Sequence, residues 1–181
     1  MVAQCSPTMA GLKTGSLFAC PQEDRTTLIS GIRQLNARLV PRGIRMIPVK
    51  YMQKRVLIYM YRPAALRRDL ADLIATRLLA EARYPVGHPD RCVAELMRRL
   101  RAGGAFPHEV GLFLGYPAAD VRAFIRQGAR GAQYVGTWRV YGNPDEALRQ
   151  FARFKKCTRV YCAAYRNHHS FDRLIVAQPS A

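Results

Sequence analysis

Apolar side chains recur at helical spacing in several segments of the chain. Between residues 24 and 40 they lie three or four positions apart, which places them on one face of a helix. Pro41 and Gly43 then end that helix. The same spacing predicts further helices over residues 63–78, 90–101, 107–114, 117–127 and 144–165, with Leu66, Leu70, Leu73, Ile74 and Leu78 on the buried face of the first of these.

Other segments have the β-branched and aromatic composition of strands. Ile44–Tyr51 and Arg55–Tyr61 are separated by a short polar turn at Gln53-Lys54, and together they predict a β-hairpin. Gln133–Tyr141 alternates like a strand, and Phe171–Ala177 predicts a terminal strand. Because strands and helices are mixed without a regular βαβ repeat, the pattern favours an α+β fold with a single mixed or antiparallel sheet and several packed helices.

The length of 181 residues is that of one ordinary domain with one hydrophobic core. We therefore predict a single domain over residues 1–181. Within it, residues 1–21 form an irregular N-terminal segment rich in small side chains, and residues 107–127 form a helical pair.

Composition narrows the class of protein. The chain is 49% hydrophobic and 23% charged, which is typical of a globular protein and not of a disordered one. No apolar stretch reaches the roughly 18 residues of a membrane span, and Lys13 interrupts the only candidate signal-peptide segment. We expect a cytoplasmic location and no membrane partner.

The cysteines indicate reduced thiols. They are odd in number and scattered, which disfavours a disulfide framework. Cys157 and Cys162 do not match a common zinc spacing, and no metal site is predicted.

The formal net charge of +17 is typical of a protein that binds anionic partners. The basic residues, however, are mostly Arg and are spread over every segment, which an ordinary solvated surface explains equally well. Both interpretations stay open, and nonspecific nucleic-acid binding is among the possible consequences.

The segment from Cys5 to Ser16 has the composition of an anion-binding loop. It combines hydroxyls from Ser6 and Thr8 with the backbone freedom of Gly11 and the charge of Lys13. It does not match the P-loop pattern, because Lys13 precedes Gly15-Ser16. We predict a ligand site at Ser6, Thr8, Gly11, Lys13 and Ser16. If Lys13 lies near Cys5, its charge favours the thiolate, so Cys5 is a candidate nucleophile or redox group. A turn-rich segment that caps the core is the alternative.

His108 and Glu109 are a second candidate, as an acid/base pair. Neighbours in a helix point about 100° apart, however, and Glu109 after Pro107 also suits the first turn of a helix. Helix capping is therefore the alternative to catalysis.

The helical pair also has the outline of a helix-turn-helix, with Val110, Leu114, Val121 and Ile125 available to fix its crossing. Its second helix begins Ala118-Ala119-Asp120, which offers no side chain suited to reading bases and places a carboxylate against phosphate. A helical hairpin inside a larger fold explains the pattern equally well.

Trp138 and Tyr141 lie at strand spacing, before an Asn143 that we expect to cap a helix beginning at Pro144. The two aromatic side chains either fill the core or form a flat wall for a planar ligand, such as a flavin or a nucleobase.

Three blocks together carry a family resemblance: Cys5-x-Pro7-Thr8-x-Ala10-Gly11-x-Lys13 with Leu17-Phe18, Phe106-Pro107-His108-Glu109-Val110-Gly111-x-Phe113-Leu114-Gly115-Tyr116-Pro117, and Val140-Tyr141-Gly142 with Phe154-Lys155-Lys156-Cys157-Thr158. Over nearly its whole length the chain resembles a family of small bacterial proteins of unknown function, common in anaerobic Firmicutes and sometimes encoded near flavodoxins or iron-related genes. The resemblance implies a single cytoplasmic domain and hints at redox or cofactor work, and it assigns no catalytic residue.

The leading hypothesis is a cytoplasmic protein that binds an anionic ligand or cofactor, with flavin or nucleotide as the possible cofactors and with redox use of Cys5. In this hypothesis Lys13 holds the anionic group, while His108 and Glu109 complete the pocket. Two alternatives remain: a nucleic-acid-binding protein that uses the helical pair, and a partner-binding subunit for a small acidic redox protein. Whether the protein is an enzyme is left open.

Overall fold

The computed structural model describes residues 1–21, 24–103 and 105–177. The chain divides into two compact units: one formed by Met1–Ala65 with Lys156–Ala181, the other by Leu66–Lys155. We call them the sheet unit and the helical unit and describe each by itself. These units are defined by contacts within the folded chain, so they do not test whether the chain folds as one domain.

The sheet unit is built on a three-stranded antiparallel sheet. Its strands are β1 (Gly15–Pro21), β2 (Arg45–Met52) and β3 (Arg55–Tyr61), in the order β1-β3-β2. The β2–β3 pair is the predicted hairpin, with a register shift between Pro48 and Lys50. β1 pairs with β3 over its whole length, from Gly15 opposite Tyr61 to Pro21 opposite Arg55.

Two helices and a C-terminal turn accompany this sheet. α1 spans Val2–Met9 and α2 spans Arg25–Leu39. Asp24 caps α2 by accepting hydrogen bonds from the backbone N–H groups of Thr26 (3.2 Å) and Thr27 (2.6 Å). Apolar side chains from these helices, the strands and the C-terminal segment form one core cluster: Cys5, Met9, Phe18, Ile32, Leu39, Ile44, Met46, Val56, Ile58, Met60, Leu174 and Ile175.

Two predictions for this unit were wrong. Residues 1–21 are not irregular, because they form α1 and β1. Most side chains of α1 are small, so periodicity did not reveal a helix that buries Cys5 and Met9 completely. Residues 171–177 do not form a strand. Asp172–Leu174 is a single 3-10 turn, which places Leu174 and Ile175 in the core.

The helical unit contains short helices and a small hairpin. α3 (Pro63–Leu70) and α8 (Pro144–His168) each have residues in both units. Between them lie α4 (Leu73–Glu81), α5 (Pro89–Ala102), α6 (Val110–Phe113), α7 (Ala118–Gln127), β4 (Tyr134–Val135) and β5 (Arg139–Val140).

Side-chain caps decide where two of these helices begin. Asp72 accepts from the N–H groups of Ile74 (2.8 Å) and Ala75 (3.0 Å), so α4 starts anew where one continuous helix over 63–78 was predicted. As a result Leu73, predicted to be buried, is 76% exposed. Asn143 caps α8 as predicted, since its Oδ1 accepts from the N–H groups of Asp145 (3.0 Å) and Glu146 (3.4 Å).

The predicted strand over 133–141 is a tight hairpin instead. β4 and β5 pair antiparallel, with Tyr134 opposite Val140, and Gly136 N–H donates to the Trp138 carbonyl (3.0 Å) between them. A Cβ on Gly136 would lie 2.3 Å from the Phe151 ring, so the turn packs directly on α8. Alternation of residue types did not reveal this reversal.

The α+β class is confirmed, and the described strands are antiparallel, but they form a three-stranded and a two-stranded sheet where a single sheet was predicted. Within residues 1–21, 24–103 and 105–177, no helix combines the length and the apolar character needed to cross a bilayer. All of the cysteines are free.

Candidate ligand-binding site

The hydroxyls of the predicted N-terminal site lie inside the sheet unit. Ser6 and Thr8 are fully buried and Ser16 is nearly so. Ser6 Oγ donates to the Val2 carbonyl, and the hydroxyls of Thr8 and Ser16 lie 2.9 Å apart in a hydrogen bond. These groups are therefore used in bonds within the fold.

The backbone N–H groups of this segment are also engaged. Gly11 adopts a φ of 75° after α1, and its N–H donates to Thr8 (3.1 Å). The N–H groups of Leu12 (2.8 Å) and Lys13 (3.1 Å) both donate to the Pro7 carbonyl. The loop therefore closes the C-terminal end of α1, as in the capping alternative, while its role in ligand binding stays a prediction.

Cys5 and Lys13 are electrostatic neighbours, as the nucleophile hypothesis requires. Burial is nevertheless the largest influence on the pKa of each group. It raises the pKa of the Cys5 thiol to about 12 and lowers the pKa of the Lys13 amine to about 8. Cys5 is thus a protonated thiol near neutral pH, which does not favour nucleophilic chemistry.

Sequence reasoning missed a buried arginine beside this segment. Arg62 is 1% exposed. Its Nε donates to the Thr8 carbonyl (2.7 Å), and its Nη2 donates to the carbonyls of Met9 (2.6 Å) and Val176 (2.8 Å). Arg62 thereby joins the end of α1 to the C-terminal segment.

In the helical unit, α6 and α7 approach closely at Gly111. A Cβ on Gly111 would lie 2.8 Å from Cγ2 of Val121 and 3.2 Å from Cδ2 of Tyr116. Val110, Leu114 and Val121 are buried as predicted, whereas Ile125 is 39% exposed and does not fix the crossing.

Asp120 is not an exposed carboxylate at the start of α7. It is 6% exposed. Its Oδ2 accepts from the Trp138 indole (2.8 Å), and its Oδ1 accepts from the N–H groups of Tyr141 (2.9 Å) and Gly142 (3.0 Å). These bonds attach the first turn of α7 to the β4–β5 hairpin, and DNA binding by the helical pair stays a prediction.

An aromatic cavity lies between α7, the hairpin and the segment before α6. Its volume is about 340 Å³. Phe106, Tyr116, Phe124 and Trp138 supply rings to its lining, which also includes Val110, Gly111, Val121, His108, Asp120 and Arg139. Trp138 packs edge-on against Phe151 at 4.5 Å between ring centroids, which fixes the orientation of the indole.

The basic side chains in the lining of this cavity are those of His108 and Arg139. The His108 ring lies edge-on to Phe124, with 5.0 Å between centroids, and the Arg139 guanidinium lies 6.0 Å from the centroid of the same ring. In the described part of the chain Arg139 forms no ion pair with an acidic side chain. Both groups therefore remain available to a ligand.

His108 and Glu109 have different partners. His108 contacts Phe124, whereas Glu109 Oε1 lies 3.8 Å from Nη1 of Arg99 on α5. Both belong to the helical unit, while Cys5, Ser6, Thr8, Gly11, Lys13 and Ser16 belong to the sheet unit. An acid/base role for the pair stays a prediction.

Sequence reasoning identified His108 and Trp138 but not Phe124, Arg139 or Asp120 as their neighbours. The sequence signal for this site was weak. Phe124 and Arg139 lie on different elements, and each is explained by an ordinary structural role. Only the packing of the hairpin on α7 brings them together.

Comparison with known proteins gives one match. No curated protein and no solved structure matches the chain. The model of a family described as "Protein of unknown function (DUF3793)" matches residues 1–175, which is nearly the whole chain. The resemblance inferred from the three sequence blocks is therefore confirmed, and the chain belongs to the DUF3793 family of proteins of unknown function.

Proposed function

We propose that the protein binds a small planar ligand that carries an anionic group, in the aromatic cavity of the helical unit. The observation that carries this proposal is the lining itself, in which aromatic rings surround about 340 Å³ beside His108 and Arg139. That volume is at the small end of the range for ligand pockets, roughly 300–1,000 Å³. It suits one ring system and not a large molecule.

The rings favour a planar ligand. Phe124 and Trp138 offer apolar faces and edges at which a flat ring gains contact area and aromatic geometry. Trp138 is already held by Asp120 and Phe151, so its ring is positioned before a ligand arrives. A preorganised wall reduces the entropy cost of binding.

The charges favour an anionic group. The carboxylate of Asp120 lies in the lining, but it already accepts three hydrogen bonds from the hairpin and its flank. Arg139 is the charged side chain left to pair with a ligand, and a guanidinium binds carboxylate or phosphate through two parallel hydrogen bonds. Flavins and nucleotides are cofactors of this kind.

Redox use of Cys5 draws no support from the surroundings of that residue, because the thiol is buried and protonated. Nucleic-acid binding and docking of an acidic protein draw their support from the net charge of +17, which does not distinguish between them. Cofactor binding in the cavity is the function that the geometry favours.

Trp138 provides the test, because it is the only tryptophan of the chain and lines the cavity. The test compounds form two pairs, FMN with riboflavin and AMP with adenosine. We expect Trp138 fluorescence to change on titration with at least one pair, and the phosphorylated member of that pair to bind more tightly than the unphosphorylated one. Isothermal titration calorimetry gives the Kd independently of absorbance by the flavins.

Matched variants locate the binding. Phe124→Ala should weaken binding about tenfold, and Leu148→Ala, an exposed apolar residue on α8 outside the cavity, should not. Arg139→Ala should remove the preference for the phosphorylated compound, while exposed Arg130→Ala should retain it. Absence of binding by all four compounds, or equal effects of the Phe124 and Leu148 variants, would contradict the proposal.

A further inference from the structure

A groove rich in arginine runs along α5 in the same unit. It has a volume of about 540 Å³ and is lined by Arg83, Tyr84 and Pro85 from the segment after α4, and by Arg91, Ala94, Glu95 and Arg98 of α5. Arg91, Glu95 and Arg98 recur at helical spacing and so share one face of α5. The groove is thus more polar than the aromatic cavity.

The groove has a surplus of positive charge. Glu95 is the one acidic residue in its lining. The Glu95 carboxylate accepts from Nε (2.8 Å) and Nη2 (2.7 Å) of Arg98 and from Nε of Arg99 (2.7 Å). These bonds lower the pKa of Glu95 to about 2, so the carboxylate stays ionised and engaged.

Glu95 also orients the arginine that it binds. It holds Arg98 by the Nε–Nη2 edge of the guanidinium, which leaves Nη1 for a further acceptor. Within the described ranges, Arg83 and Arg91 form no ion pair. Three guanidinium groups therefore line one groove. The acidic side chain beside them is Glu95, which is already bound by Arg98 and Arg99.

A third hollow lies next to both the groove and the cavity. Its volume is about 420 Å³, and it shares Arg98 with the groove and Phe106 and His108 with the aromatic cavity. Glu109 also lines it, but that carboxylate lies beside Arg99 at 3.8 Å. The third hollow therefore adjoins both the groove and the cavity through shared lining residues.

We infer that the ligand is a nucleotide with more than one phosphate, its ring in the aromatic cavity and its phosphate chain in the arginine groove. This inference rests on the proposed function and adds the substrate class to it. Arg139 binds the proximal phosphate, as in the proposed function, and His108 lies where the cavity and the third hollow meet. Arg91 and Arg98 bind the distal phosphates. The ring-lined cavity suits the planar base, and the arginine-lined groove suits a hydrated, charged chain.

The ratio of two affinities tests the inference separately from ring binding. AMP and ATP differ only in the phosphates beyond the first. We expect ATP to bind at least about tenfold more tightly than AMP, in the absence of added metal. Arg91→Ala/Arg98→Ala should bring this ratio close to one and leave the affinity for the monophosphate nearly unchanged.

The control variant is Arg149→Ala/Arg153→Ala, which removes the same charge from exposed positions on α8 outside all three hollows. It should preserve the ratio. Equal affinities for mono- and polyphosphates in the wild type would overturn the inference while the proposed function stands. Equal loss in both double variants would overturn it as well, because the effect would then be one of net charge.

Tripolyphosphate, which has no ring, distinguishes binding of phosphate alone from binding of a whole nucleotide. If tripolyphosphate binds to the groove but none of the nucleotides changes Trp138 fluorescence, the proposed function fails and the inference fails with it. If tripolyphosphate competes with ATP but not with AMP, the groove holds the chain of the ligand as inferred.

Discussion

The indole Nε1 of Trp138 donates a hydrogen bond to Oδ2 of Asp120 over 2.8 Å, and both side chains are buried. Through this bond the first turn of α7 holds the ring that forms one wall of the aromatic cavity. Because the second carboxylate oxygen accepts from the backbone of Tyr141 and Gly142, one residue fixes the whole hairpin on α7.

Replacing Asp120 should therefore destabilise the protein and disturb the cavity together. Asp120→Ala leaves three donors without their acceptor, and we expect the free energy of unfolding to fall by about 3 kcal/mol. Urea denaturation measures this loss, and the Trp138 emission maximum should move to longer wavelength in the native state. Glu146→Ala, an exposed carboxylate in the first turn of α8, should cost less than about 1 kcal/mol. Similar losses in the two variants would show that Asp120 is not the anchor.

Two glycine-to-alanine substitutions should have opposite signs. Gly111→Ala places a methyl group 2.8 Å from Val121 Cγ2 and should lower the free energy of unfolding by roughly 1–3 kcal/mol. Gly31 lies inside α2 with nothing within 4 Å of its Cβ position, so Gly31→Ala should raise stability by roughly 0.5–1 kcal/mol. Thermal unfolding of the two variants decides the matter, and a stabilising Gly111→Ala would refute the close approach of α6 and α7.

Burial of Lys13 predicts a pH dependence of stability. The pKa of Lys13 is about 8 in the folded chain against an ordinary value of 10.5, so between these values the unfolded chain binds the extra proton. The contribution of Lys13 to stability is therefore present above pH 10.5 and is lost as the pH falls through 8. Cys5 acts in the opposite sense between 9.0 and about 12, where the folded chain keeps the proton.

Lys13→Met isolates this contribution, because the titration of Cys5 is common to both proteins and cancels in the difference between them. Between pH 8 and 9, the unfolding free energy of the wild type minus that of Lys13→Met should rise by about 1 kcal/mol. Urea titrations at several pH values measure it. The matched control is Lys156→Met, which removes the same charge from an exposed position. Parallel profiles for wild type and Lys13→Met would contradict a buried amine.

Thiol labelling tests the chemical role of Cys5. Because the thiol is buried and its pKa is raised to about 12, native protein treated with iodoacetamide at neutral pH should leave Cys5 unmodified while the half-buried Cys20 and Cys162 react. Peptide mass spectrometry follows each site, and denatured protein should label all three alike. Rapid modification of Cys5 in the native state would restore it as a nucleophile.

Local sequence signals determined much of the secondary structure. The helix over residues 24–40, the hairpin at Gln53-Lys54 and the Asn143 cap of α8 were predicted correctly, because each depends on neighbours a few residues away. Composition and pattern were likewise enough for the α+β class, and three conspicuous blocks were enough for the family.

The tertiary structure alone decided the candidate site. Asp120 looked like an exposed carboxylate because its partner Trp138 lies 18 residues away, and no local pattern reports a bond across that separation. The N-terminal hydroxyls looked available to a ligand because burial was invisible in a segment of small side chains. Helices and turns follow from short-range preferences, whereas the burial and pairing of a polar group depend on which distant elements pack around it.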